Sequence, residues 1–451
     1  MTRQDAPTSP PVVLTVAGSD SGGGAGIQAD LKTVEACGGF GTSAVTSVTA
    51  QNTTGVESTH VLPIEEIDAQ CEAVRSDFDV AAIKTGMLAT TEVIDLVTDC
   101  VREAGVPAVV DPVMVAASGD RLLAREAEAA YEELIAEATL VTPNADEAAV
   151  LTDVDPDDEA DARAAGERLV GMGADAALVK GGHLPGEDVI DVLVTADRVE
   201  TFRHPRVDTE ATHGSGCTLS SAVATHLAHG VDLVDAVGAG IDLLARAVRY
   251  NVDVGEGPGA VHHLVERRDA AARTGATEAV ESILADFVRR DARPLIPEVG
   301  TNVAVATPYA ERPDEVAAVD GRVRRTTDGV AAARGARMGA SSNVARLLLA
   351  ARERDPALRA AANLRYDRST ASALDALPGQ TVAVDRPASP AGFDGGGATD
   401  LIERAFDAAD GTPTAVVDEG GDGREALAYL LAEEDSALSD RLAAAVAALD
   451  E

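Results

Sequence analysis

Residues 212–222 read THGSGCTLSSA, in which Gly214, Ser215 and Gly216 lead into a helical stretch whose first turn carries Cys217. Successive N–H groups in such a turn form an anion-binding nest, and the start of a helix adds partial positive charge. That combination suits a transferring phosphoryl group. The same field is expected to lower the pKa of a cysteine at the helix start, which makes Cys217 a candidate base at neutral pH. Cys37, Cys71 and Cys100 read instead as small core residues, with neither CxxC pairs nor histidines at metal-ligand spacing. A second glycine cluster, AGSDSGGGAGIQADLKT at 17–33, sits between a β-branched run and an amphipathic stretch. Glycines there let backbone approach a ligand closely, and a helix start offers free N–H groups, although plain turns share the spacing.

Charge narrows the ligands. The chain holds 76 acidic and 37 basic residues, a net charge of −39, which repels nucleic acid and anionic lipid. Only Lys32, Lys84 and Lys180 are lysines, the other 34 basic residues being Arg. A chain that replaces Lys nearly everywhere keeps it where a compact ammonium is required. The acidic surface is that of a halophile's protein, which needs molar salt for screening. No run of about 20 apolar residues exists, so a cytoplasmic protein is expected.

These residues need a frame. From Val12 to about Tyr250, short β-branched runs alternate with helical segments, the pattern of a mainly parallel sheet covered by helices. Strands are expected at Val12–Ala17, Ala44–Val48, Val80–Lys84, Ala108–Asp111, Leu140–Thr142, Ala177–Lys180 and Val189–Val194. Most end in Gly, Asn, Asp or Lys, which suits folds whose ligands bind beyond the carboxyl ends of strands. The segment Glu266–Thr277 is polar and lacks apolar periodicity, so a junction is expected there: a first domain at 1–265, a linker at 266–275 and a second domain at 276–451. In the second part, helices are expected near Glu278–Arg289, Asn343–Arg354 and Asp400–Asp410, and strands near Asn302–Ala306, Thr381–Val384 and Thr414–Val417.

The strings AGSDSGGGAGIQADLKT (17–33), VTAQNT (48–53), KTGM (84–87), VDPVM (110–114), TPNADE (142–147), VKGGH (179–183) and THGSGCT (212–218) together resemble the hydroxymethylpyrimidine and phosphomethylpyrimidine kinases. The resemblance implies an α/β fold, a ribokinase-like three-layer αβα sandwich followed by a smaller α/β domain. It implies transfer of the ATP γ-phosphoryl group to 4-amino-5-hydroxymethyl-2-methylpyrimidine and then to its monophosphate, in thiamine biosynthesis, with Mg2+. Gly18, Asp30, Gln51 and Met87 would bind the pyrimidine, Gln51 through its amide and Met87 against the ring. Lys180, Asn144 and Thr212 would meet the nucleotide. Asn144, Glu147 and Asp111 would organise the magnesium, through water in the case of Asn144 and Glu147. The catalytic group would be Cys217 with Gly214, Ser215 and Gly216. A homodimer is expected. Ser21-Gly22 stands where relatives usually read Pro-Ser, and Ser215 replaces a Thr. The alternative is a sugar or pyridoxal kinase of the same fold, against which Gln51 and Cys217 argue, the sugar kinases having Asp at the cysteine's place.

The segment from Ala276, with IPEVGTN (296–302), GRVRR (321–325), NVARLLLAA (343–351) and NLRYD (363–367), resembles the thiamine-phosphate synthase domain often fused to this kinase in archaea. Synthases of this kind read Ser-Arg-His-Val-Ala-Arg where this chain has Ser341-Ser342-Asn343-Val344-Ala345-Arg346. They tend to read Asp-Arg-Gly where it has Asp418-Glu419-Gly420. Losing one His and two Arg from a diphosphate site removes charge-assisted contacts worth about 1.5–3 kcal/mol each. The domain is therefore expected to be a ligand-binding or regulatory remnant, with a retained synthase as the other reading. Arg322 survives as a phosphate contact, binding thiazole phosphate or thiamine phosphate.

Overall fold

Leu14 and Val16 face one side of the first strand and Val13 and Thr15 the other, all fully buried, so this strand runs through the centre of a sheet covered on both faces. The computed structural model describes residues 6–114, 125–183, 186–385, 397–421 and 424–450. The chain folds as two compact units, Met1–Val265 and Glu266–Glu451.

The strands of the first unit are β1 (Val12–Asp20), β2 (Phe40–Asn52), β3 (Gly55–Val61), β4 (Val80–Thr85), β5 (Ala108–Val110), β6 (Leu140–Val141), β7 (Ala176–Val179), β8 (Asp188–Thr195) and β9 (Val199–Pro205). They form one sheet in the order β3-β2-β1-β4-β5-β6-β7-β8-β9, parallel from β2 to β7 and antiparallel at both edges. The helices are α1 (Gly26–Ala36), α2 (Ile64–Asp77), α3 (Thr91–Ala104), α4 (Tyr131–Ala136), α5 (Ala145–Thr152), α6 (Glu159–Gly171), α7 (Ser215–Ala228) and α8 (Leu233–Arg249), with α9 (Val265–Arg289) at the junction. Ile67, Val93, Ile94 and Leu134 from α2, α3 and α4 pack on Leu14, Val16 and Ile83. Val34, Leu219, Val223 and Val237 from α1, α7 and α8 pack on Val13, Val109 and Leu140. Each such fully buried side chain contributes about 1.5–3 kcal/mol. Because β1, β4, β5, β6 and β7 point the same way, Asp20, Lys84, Asp111, Thr142 and Lys180 come to one edge of the sheet. This three-layer α/β arrangement is the one expected.

In the second unit, β10 (Val303–Ala306), β11 (Val316–Val319), β12 (Val323–Thr326), β13 (Gly329–Ala332), β14 (Ala336–Met338), α10 (Asn343–Arg354), β15 (Ala360–Arg365), α11 (Arg368–Asp375), β16 (Thr381–Val384), α12 (Gly397–Ala408), β17 (Ala415–Asp418), β18 (Leu427–Ala432) and α13 (Asp435–Asp450) follow one another. Seven strands order as β14-β11-β10-β15-β18-β17-β16, antiparallel but for β16 against β17, and β12 pairs with β13 as a separate hairpin. Alternate residues of β10 serve two cores: Val303 and Val305 one, Ala304 and Ala306 the other.

The expected linker at 266–275 is helical instead, forming the first turns of α9. Its Ala, Arg and Glu residues are good helix formers. Asp269 anchors it, its carboxylate accepting from Thr307 Oγ1 (2.8 Å) and the Tyr309 N–H (2.9 Å). Among the described residues no helix is long and apolar enough to cross a membrane.

Candidate active site

Two glycine-rich turns meet at the carboxyl edge of the first sheet. At the end of β1, Asp20 is 3% exposed, and its carboxylate accepts from the backbone N–H groups of Gly22 (2.7 Å), Gly24 (2.9 Å) and Ala25 (2.8 Å). It also accepts from His213 Nε2 (3.2 Å), which belongs to the other turn. Burial acts to raise Asp20's pKa, but these donors outweigh it and hold the carboxyl below its ordinary value. Gly214 caps α7 at φ +84°, and a Cβ there would stand 1.9 Å from the carbonyl oxygen of Gly24. The two turns therefore touch through backbone, at a distance only glycine allows.

The pyrimidine-binding candidates fall on this edge with one exception. Gln51 is tied to the first turn: its N–H donates to Ser21 Oγ (2.8 Å), and Ser21 Oγ donates to its carbonyl (2.6 Å). Its side-chain amide lies 3.5 Å from His213 Nε2 and accepts from Thr49 Oγ1 (3.1 Å). Met87 is buried against Gly18, whose added Cβ would meet its Cε at 3.2 Å. Asp30 is the exception. It is fully buried and points below the edge, accepting from Thr15 Oγ1 (2.6 Å), Lys84 Nζ (2.8 Å) and Ser221 Oγ (2.8 Å). With its oxygens committed to these partners, it serves as Lys84's counter-ion rather than as a substrate ligand.

On the other side of α7's first turn lies a charged pair. Lys180 Nζ stands 3.1 Å from Asp111 Oδ1, and a Cβ on Gly216 would come within 3.2 Å of both Asp111 Oδ2 and Lys180 Nζ. Gly216 thus lets the helix start abut the pair. Asn144 caps α5: its Oδ1 accepts from the Glu147 N–H (2.9 Å), while Glu147 Oε2 accepts from the Asn144 N–H (2.8 Å). The Asn144 oxygen expected near a metal is engaged in that cap, and its part in a metal site reduces to holding Glu147. Burial first, then the Asp111 carboxylate, push Glu147's pKa up to about 7 against the pull of Lys180. Among the described residues no group of three or more His, Cys, Asp and Glu is gathered to hold a metal. Asp111 and Glu147, two carboxylates beside Lys180, do fit Mg2+, which takes one or two carboxylates and keeps several waters.

Cys217 departs from expectation. Burial pushes its thiol up to about 11; Lys84 opposes that, Asp30 and Asp111 add to it, and a hydrogen bond from the Gly26 N–H opposes it. The helix-start field expected to dominate is outweighed by desolvation beside two carboxylates. The nest is also smaller than expected, because the Ser215 N–H donates to the Thr212 carbonyl (3.0 Å). Gly216 and Cys217, in the first turn, supply the N–H groups without an intrahelical partner. The sequence reading missed Asp20 and His213 although both lie inside its motifs; the signal was an Asp two residues before a glycine run, a usual hydrogen-bond acceptor for turn N–H groups.

In the second unit, a pocket of about 720 Å³ is lined by Glu298, Val299, Arg325, Arg365, Tyr366, Asp367 and Glu425. Arg325, rather than Arg322, borders it; Arg322 Nη1 donates to the Gly300 carbonyl (3.3 Å). Asn343 opens α10.

Residues 20–262 match the phosphomethylpyrimidine kinase family, and residues 279–443 match the family thiamine-phosphate synthase ThiN. A hydroxymethylpyrimidine/phosphomethylpyrimidine kinase of Streptomyces coelicolor is 48% identical over 58% of this chain and 98% of its own. A thiamine biosynthesis bifunctional protein of Geobacter sulfurreducens is 44% identical over 58% of this chain and 54% of its own. Among solved structures, a Bacillus subtilis pyridoxal kinase in complex with ADP superposes with a TM-score of 0.54 at 33% identity, covering 57% of this chain and 99% of its own. Such pyridoxal kinases share the fold of the first unit, while the higher sequence identity lies with the pyrimidine kinases. Its glycine turns, its paired Lys180 and Asp111 and its Cys217 all fall within the matched range, more than half of the chain, and the chain belongs to the phosphomethylpyrimidine kinase family.

Proposed function

We propose that the first unit, residues 1–265, phosphorylates 4-amino-5-hydroxymethyl-2-methylpyrimidine with ATP and then phosphorylates the monophosphate to the diphosphate. The observation that carries this reading is the meeting of the two glycine turns, which brings Gln51 and Met87 to one side of α7's first turn and Lys180 with Asp111 to the other. Gln51, Met87 and Gly18 hold the aminopyrimidine, with Asp20 and His213 fixing the turn to which Gln51 is tied through Ser21. The N–H groups of Gly216 and Cys217 face the transferring phosphoryl group, with Gly214 and Ser215 shaping the turn. Lys180 and Thr212 meet the nucleotide phosphates. Magnesium, held through Asp111 and Glu147, neutralises charge between the phosphates when bound. Cys217 accepts the proton of the substrate hydroxyl in the first step.

The second unit, residues 266–451, is a ligand-binding or regulatory domain for thiamine phosphates. Asn343 and Glu419 stand where catalysis asks for His and Arg, and Arg325 and Arg365 border its pocket. The whole chain acts in the cytoplasm of a halophile, as a homodimer. One experiment tests the assignment: in molar KCl the intact chain, given ATP, Mg2+ and the hydroxymethyl pyrimidine, should form the diphosphate and, on addition of thiazole phosphate, no thiamine phosphate. Thiamine phosphate formed as fast as the diphosphate would overturn the reading of the second unit, and absence of any phosphorylated pyrimidine would overturn that of the first.

A further inference from the structure

Two of the three lysines have evident duties. Lys180 faces Asp111 at the phosphoryl end, and Lys32 Nζ donates to the Gly23 carbonyl (2.6 Å), bracing the first glycine turn. Lys84 is fully buried, as are its partner Asp30 and the Thr15 and Ser221 hydroxyls that donate to Asp30. A buried ion pair is costly to assemble, and apolar residues of similar volume often serve stability as well or better. Its position shows what it does. The helices α1 and α7 lie side by side, and at their first turns the Gly26 N–H meets the Cys217 sulfur. One turn later on each helix, Ser221 Oγ donates to Asp30 Oδ1 (2.8 Å), to which Lys84 Nζ also donates (2.8 Å). Residues four apart share a helix face, so the ion pair lies about one turn, ~5.4 Å, below the thiol.

We propose that Lys84 is a positioning residue for Cys217: held by Asp30 and Ser221 beneath the first turn of α7, its ammonium supplies the positive field against which the thiol gives up its proton. This rests on the reading of Cys217 as the proton acceptor of the first step, since a base must first be a thiolate. The charged groups that face Cys217 are Lys84 from β4, Asp30 from α1, Asp111 after β5 and Lys180 after β7. Lys84 is the largest influence that lowers its proton affinity, and the two carboxylates raise it. Burial acts to strip Lys84 of its own proton, but Asp30, Cys217 and Asp111 outweigh it, so the ammonium stays charged. Lysine rather than arginine fits a buried slot that needs a compact charge.

The test uses the full chain in molar KCl with Lys84→Met and with the double variant Lys84→Met/Asp30→Asn, which leaves no lone buried charge and so protects the fold. Alkylation by iodoacetamide at pH 8.5 is followed on the Cys217 peptide by mass spectrometry, with the Cys37 peptide as internal reference. One pH unit of thiol acidity is a tenfold change in thiolate, so Cys217 alkylation should slow about tenfold or more in Lys84→Met and by less in the double variant, where loss of the Asp30 carboxylate offsets part of the change, while Cys37 is unchanged. Single-turnover rates should show the first phosphorylation falling with it, the second retained and the pyrimidine KM unmoved. Equal Cys217 alkylation in parent and Lys84→Met overturns the proposal, as does a change shared equally by Cys37. Slower alkylation with an undiminished first phosphorylation upholds Lys84's effect on the thiol and removes Cys217 from the proton transfer instead.

Discussion

A thiol near pKa 11 is a stronger base than a freely ionised one but is rarely in its basic form at neutral pH, and the two phosphorylations feel this differently. The first asks a neutral alcohol to lose a proton; the second attacks through a phosphate oxygen that is already anionic. Cys217→Ala should therefore slow the first step by about 10²–10⁴-fold and the second far less. In the parent protein the first step should quicken as pH rises from 7 toward 10, since the thiolate fraction grows about tenfold per unit below the pKa, while the second stays nearly flat. Single-turnover kinetics of each step across that range check both points. Equal losses in both steps, or parallel pH profiles, would leave Cys217 as a shaper of the anion site alone.

At the scale of elements, the site depends on one backbone contact between two turns. Gly214→Ala would place a methyl group 1.9 Å from the Gly24 carbonyl and force a side chain onto a left-handed residue, so the turns must part. We expect loss of both phosphorylations by at least about 10²-fold with a lowered thermal midpoint; activity within threefold of the parent would show that the contact is dispensable. The sequence showed this region well, because β1, β4, β5, β6 and β7 are mainly apolar runs with Asp20, Thr85, Asp111, Thr142 and Lys180 at or just after their ends. It did not show the edge strands β3 and β9, whose exposed polar residues alternate too weakly against solvent. Nor did it show β15, AAANLR, or β18, LAYLLA, whose alanines and leucines favour helix until burial on both faces decides otherwise. Asp30 was misplaced for a related reason: the resemblance set it against the substrate, but only the fold shows that Lys84 rises to meet it from β4. The desolvation that raises Cys217 is likewise invisible until the chain is folded.

At the scale of the molecule, a net charge of −39 on 451 residues makes the compact state repel itself when counterions are scarce. The thermal midpoint should rise steadily from low to molar KCl; a midpoint flat over that range would contradict the halophilic reading. The pairing of Asp20 with His213 has a further consequence, because 193 residues of chain separate them. Contacts so distant in sequence form late, since the loop they close must first be gathered at an entropic cost. As the chain emerges from the ribosome, the first glycine turn must wait for nearly the whole first unit before its partner exists. Its central strand β1 meanwhile has β2 and β4 beside it but lacks α7 and α8 over one face, and exposed apolar surface is a hazard for aggregation. The same long-range clasp makes the kinase all or none: a ribosome stalled before residue 213 releases a chain with the motif of a phosphate-binding turn and nothing to hold it in shape.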